Sequence, residues 1–172
     1  GYILGSMKLQ GVREEECDWD PDDGHKMHWA QLPDLEVTGM DVDMSELHFA
    51  DDFKCSASGS IDDIHFWGSF RDDMLPENGP GSLKFEIVIY SDIPATENSW
   101  SMPGDVLWSR TFSPGQYSVR KLDDSLEGWY DPAKEIYLPD NHMQAYQYNF
   151  CIKEGAFVQQ EGTIYWLSVK EV

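Results

Sequence analysis

The sequence predicts an all-β domain: an antiparallel β-sandwich, jelly-roll-like, of roughly eight to ten strands. Three observations predict it. Apolar and polar residues alternate in one segment after another, and Pro, Gly, Asn and Asp punctuate the gaps between those segments. No long window keeps the 3.6-residue period of a helix.

The elements follow in chain order. Tyr2, Ile3 and Leu4, with Met7, Leu9 and Val12, read as one strand closed by Glu14-Glu15-Glu16. Residues 1–16 are therefore expected to be an N-terminal extension, and residues 17–172 a single sandwich domain. Pro21 and Gly24 make the Asp-rich stretch that comes next a loop. In residues 61–70, Ile64, Phe66 and Phe70 point one way while His65, Trp67 and Ser69 point the other. Residues 84–90 place Phe85, Ile87 and Ile89 on one face, and residues 144–152 do the same for Tyr146, Tyr148, Phe150 and Ile152. Residues 106–112, 116–122 and 163–169 obey the same alternation. Turns are expected at Asn78-Gly79-Pro80-Gly81, Pro103-Gly104, Pro114-Gly115, Pro139-Asp140-Asn141 and Glu161-Gly162. Residues 123–130 are read as a single helical turn.

Charge narrows the partners. Thirty-two Asp and Glu face twelve Lys and Arg, a formal net charge of −20. Such a surface repels nucleic acid and anionic membranes, so neither is an expected partner. No apolar run is long enough for membrane insertion. Self-repulsion of this size favours bound cations, and Ca²⁺, which takes six to eight oxygen ligands, is the expected one. Five Asp-Asp pairs occur, but neighbours on a strand face opposite sides, which suits loop ligands better than a converging acid and base. The best single loop carries Asp18, Asp20, Asp22 and Asp23. Its alternating Asp residues resemble the opening of an EF-hand, although Gly24 comes one place late and the closing Glu is absent.

Hydrolase signatures such as Gly-x-Ser-x-Gly or His-Glu-x-x-His are absent, as are Cys-x-x-Cys and a phosphate-binding Gly loop. His25 and His28 lack the further ligands that Zn²⁺ needs. No enzyme is expected; a glycoside hydrolase, whose two carboxylates leave no local signature, is the less favoured alternative. Among the seven tryptophans, Trp67, Trp129 and Trp166 are candidates for stacking on sugar rings. The three cysteines, Cys17, Cys55 and Cys151, allow one bridge and one free thiol. A bridge from Cys17 would staple the N-terminal segment to the body, whereas the strand-borne pair Cys55 and Cys151 is the expected disulfide.

Several runs stand out: residues 19–28 (Trp-Asp-Pro-Asp-Asp-Gly-His-Lys-Met-His), Ala50-Asp51-Asp52-Phe53, Ile64-His65-Phe66-Trp67-Gly68-Ser69, Ser91-Asp92-Ile93-Pro94-Ala95, Gly128-Trp129-Tyr130-Asp131-Pro132 and Ile164-Tyr165-Trp166-Leu167. Together they resemble a domain family of unknown function from large secreted bacterial surface proteins. The resemblance implies a secreted, β-rich, extracellular module without assigned catalytic residues. The expected function is thus a non-catalytic structural or adhesive module, cation-stabilised and self-assembling through Tyr2, Ile3 and Leu4. The alternative is a carbohydrate-binding module, with polysaccharide as partner.

Overall fold

The structure, a computed structural model, describes residues 32–45, 48–122 and 124–172. Among them are twelve strands: β1 (Met40–Val42), β2 (Ala50–Lys54), β3 (Gly59–Ile61), β4 (Asp63–Ser69), β5 (Phe85–Ile93), β6 (Met102–Phe112), β7 (Ser118–Lys121), β8 (Glu127–Asp131), β9 (Ile136–His142), β10 (Ala145–Cys151), β11 (Phe157–Gln159) and β12 (Ile164–Glu171). The remaining regular pieces are two 3-10 turns, Arg71–Asp73 and Pro80–Ser82. The domain is all-β, as its alternating pattern requires.

Two antiparallel sheets supply the core. One has the order β2-β12-β5-β6, the other β4-β10-β7. Their facing residues are the ones whose spacing set them on common faces. Phe85, Ile87 and Ile89 from β5 meet Tyr146, Tyr148 and Phe150 from β10, all buried. Phe66 stacks on Tyr148 (centroids 4.9 Å apart) and on Phe150 (5.5 Å), while Phe85 and Phe112 present their edges to Phe150. Edge-to-face contacts of this kind add about 0.5–1.5 kcal/mol each beyond the area they bury. Aromatic interlock joins the sheets together with the buried isoleucines.

A third sheet, β1-β8-β9, is built differently. β1 runs parallel to β8, and β8 pairs antiparallel with β9. A two-stranded ribbon of β3 and β11 completes the assembly.

Two expected turns fall inside strands. Pro103-Gly104 lies in β6 and Pro139-Asp140-Asn141 in β9. Proline lacks the N–H of a ladder bond, so it is confined to edges, and both strands end their sheets. The ladder is irregular at each place: β5–β6 shifts register around Tyr90, and Asp140 has φ +50°. The expected helical turn at residues 123–130 is also replaced, because Glu127–Asp131 forms β8.

Candidate metal centre

One of the three shortest strands contributes the first residue of the site. β1 has three residues, and its central Asp41 lies beside Trp129 of β8. Glu127, the first residue of β8, lies opposite His142, the last of β9. Cross-strand neighbours are about 4.5–5.5 Å apart at Cβ, close enough for side chains to converge. They do converge: one ligand atom from each of Asp41, Glu127 and His142 lies within 4.8 Å of the other two.

Burial makes this cluster unusual. His142 is 1% exposed and Glu127 3%. Among the described residues, Glu127 Oε1 and both His142 ring nitrogens have no hydrogen-bond partner, nor does the buried Trp129 Nε1. His142 Nε2 approaches Asp41 Oδ2 to 3.3 Å, an ion-pair distance without the direction of a hydrogen bond. Asp41 also accepts a hydrogen bond from the Ser69 hydroxyl at the end of β4. The Trp129 ring sits edge-on to the His142 imidazole with centroids 6.0 Å apart. Unsatisfied buried polar atoms cost about 1–3 kcal/mol each, so three on two side chains demand a partner.

The electrostatics reflect the crowding. Burial is the main reason that the Glu127 carboxyl is pushed up to about 7, and the Asp41 and Asp34 charges push the same way against the opposing His142. At His142, burial disfavours the imidazolium, but the close Asp41 carboxylate, helped by the Glu127 and Asp73 charges, leaves its pKa above the ordinary value. Shifts of this kind mark functional sites as well as structural ion clusters.

Local backbone geometry holds the cluster. Gly39 precedes β1, and a Cβ there would lie 2.1 Å from the Asp34 carbonyl and 3.0 Å from Glu127 Oε2. The clash with the Asp34 carbonyl requires glycine here, and its missing Cβ leaves room beside the Glu127 carboxylate. Gly39 O then accepts from Gly128 N at 2.9 Å, which joins the start of β1 to β8. At the far end of β8, Asp131 closes the hairpin to β9 by accepting from Lys134 N and Nζ at 3.1 and 2.9 Å. Behind His142, the Asp73 carboxylate accepts from the backbone N–H groups of Met143 and Gln144.

None of these three residues figured in the sequence-based site. Asp18, Asp20, Asp22 and Asp23 lie outside the described residues, as do Tyr2, Ile3 and Leu4. Trp67, Trp129 and Trp166 fall on β4, β8 and β12, in three different sheets. All three are half-buried, and the Trp166 indole donates to Asp92 Oδ1 at 2.8 Å. They do not form one aromatic platform. The tryptophan that stands out is Trp100, 88% exposed ahead of β6. The disulfide expectation is corrected. Cys55 is a free, buried thiol whose Sγ donates to Gln159 Oε1 at 2.7 Å, whereas Cys151 is disulfide-bonded. The reason is placement: Cys55 is packed in the apolar core, and Cys151 ends β10 half-exposed.

Fold and site together define an all-β, sandwich-like domain with a His–carboxylate trio, two of its members buried, on the sheet of β1, β8 and β9. Residues 27–172 match the model of the domain of unknown function DUF7901, and the chain belongs to that family. No curated protein and no solved structure matches the chain.

Proposed function

We propose that the domain is a non-catalytic structural or adhesive module of an extracellular protein, and that copies associate by strand addition. The observation that carries this reading is β6. It is eleven residues long and terminates its sheet, with β5 as its strand partner among the described residues. Pro103 and the register shifts blunt its beginning, a common protection of edges. Farther on, Val106 and Leu107 are exposed. An apolar segment such as Tyr2-Ile3-Leu4 from another copy suits that edge, since in strand addition backbone bonds give affinity and alternate side chains give register. The disulfide at Cys151 supports an oxidising, extracellular compartment. Calcium on the loop of Asp18, Asp20, Asp22 and Asp23 belongs to the same reading, as the partner of an acidic surface.

Sedimentation and negative-stain microscopy of the chain with and without residues 1–12 test the assembly. Concentration-dependent oligomers that vanish on truncation are expected. A monomer in both forms ends the self-assembly reading. One observation favours a second reading, polysaccharide binding: the nearly fully exposed Trp100 offers a flat face to a sugar ring. Pull-down on insoluble polysaccharides with Trp100→Ala as control separates the two.

A further inference from the structure

We propose that Asp41, Glu127 and His142 form a binding site for a divalent ion of the zinc class, clipping β1 to the β8–β9 hairpin. This goes beyond the structural role above and does not depend on it. Three independent features converge on the site. The first is the ligand set itself, one imidazole and two carboxylates contributed by three strands and held within 4.8 Å. Second, Glu127 Oε1 and His142 Nε2 and Nδ1, which find no hydrogen-bond partner among the described residues, belong to side chains that are almost completely buried. Third, position 39 must be glycine because a Cβ there would clash with the Asp34 carbonyl at 2.1 Å, and that same Cβ would lie 3.0 Å from Glu127 Oε2, so the glycine leaves the space beside the carboxylate open.

The distances fit a small ion. Zn²⁺ takes nitrogen and carboxylate ligands at about 2.0–2.2 Å, so tetrahedral neighbours lie about 3.3–3.6 Å apart. The His142 Nε2 to Asp41 Oδ2 separation is 3.3 Å. The Glu127 ligand atom lies within 4.8 Å of both, so its carboxylate would have to move inward by about 1 Å to complete the coordination. The imidazole argues against Ca²⁺ and Mg²⁺, which take oxygen ligands, and favours zinc-like ions that accept nitrogen and oxygen together. Three protein ligands leave a fourth position for water. The Asp41 side chain, one-third exposed beside a fully buried imidazole, marks the way in from solvent. Ser69, donating to Asp41, fixes the outermost ligand.

The role follows from the strands involved. β1 is three residues long and has β8 as its one strand partner among the described residues. An ion bound to Asp41 and to both strands of the β8–β9 hairpin would hold β1 in register more firmly than three residues of parallel ladder.

The test uses the whole chain, stripped with a chelator and dialysed. Calorimetric titration with ZnCl₂ in the presence of millimolar CaCl₂ is expected to show one tight site, with a melting temperature that rises with Zn²⁺. Titration with CoCl₂ is expected to give the intense visible absorption of a low-coordinate Co²⁺ centre. Asp41→Asn, at the most exposed ligand, is expected to keep the fold, as circular dichroism checks, and to weaken Zn²⁺ binding at least about tenfold, the scale on which even outer supports of a metal site act. His142→Asn is expected to abolish the Co²⁺ band. Three outcomes overturn the proposal: Zn²⁺ binding left unchanged by Asp41→Asn, which reduces it to diffuse attraction by the acidic surface; preference for Ca²⁺ at these residues; or no uptake of either metal by the folded chain, which leaves a proton-sharing polar cluster.

Discussion

The Asp73 carboxylate accepts the Met143 backbone N–H with both oxygens, at 3.1 and 3.0 Å, immediately after His142. Asp72 works beside it: its backbone N–H donates to Asn141 Oδ1, and its own Oδ1 accepts from Asn141 Nδ2 at 2.7 Å. Both aspartates have positive φ, +56° and +53°, a conformation that Asp tolerates better than most residues. The 3-10 turn after β4 is thus a clamp on the β9–β10 connection, and it sets the position of His142.

Removing that clamp carries a cost. Asp73→Ala is expected to lower stability by about 1–3 kcal/mol, the range for hydrogen bonds to a charged acceptor plus the orphaned amides. Asp73→Asn, which keeps one acceptor and tolerates the positive φ, is expected to lose less. Urea unfolding midpoints of the two variants measure the difference, and equal losses would contradict the clamp.

The centre of the aromatic core is Phe150, with no exposure and ring contacts to Phe66, Phe85, Phe112 and Tyr117. Phe150→Ala is expected to destabilise by about 3–5 kcal/mol, through lost burial and the cavity left behind. Phe150→Leu is expected to be milder. Equilibrium denaturation followed by tryptophan fluorescence tests both.

Alkaline pH reaches the same core through Tyr148. Burial raises its pKa above the ordinary value near 10, and the neighbouring Tyr117, Tyr146 and Glu171 add to the shift. A raised folded value means that Tyr148 supports the fold fully below pH about 10 and that this support is lost as pH climbs toward the folded value. Tyr148→Phe loses the hydroxyl's 3.3 Å bond to the Pro80 carbonyl but removes that titration. Melting temperatures from pH 8 to 11 are expected to fall more steeply in the wild type than in Tyr148→Phe. Parallel curves would show that Tyr148 is not responsible.

The cysteines answer to labelling. Burial pushes the Cys55 thiol up, so little thiolate is present near neutral pH, and its position in the core blocks reagents. Native protein is expected to leave Cys55 unalkylated. In denaturant without reductant Cys55 is expected to react while Cys151 does not, and reductant is expected to release Cys151. Peptide mapping reads each step. Alkylation of Cys55 in the native state would contradict its burial.

What could be read in the sequence was the two-sheet core. Phe85, Ile87 and Ile89, like Tyr146, Tyr148 and Phe150, announce their shared faces through a period of two that pairing with any partner preserves. Burial of half the side chains on a strand is a local property, and the local pattern records it. Proline misled at residues 103 and 139, because the residue type signals a turn while the edge of a sheet accepts it equally well.

Tertiary structure alone decided the site and the cysteines. Asp41, Glu127 and His142 stand in separate segments with no spacing rule between them. They meet because β1 joins β8 in parallel and β8 meets β9 in one particular register. Glu127 and His142 look like ordinary polar residues until neighbouring chain removes their water, and Cys55 resembles Cys151 until one enters the core and the other does not. Periodicity carries the identity of each strand's buried face; which faces come together, and which polar groups are sealed between them, is settled by long-range pairing that no short window contains.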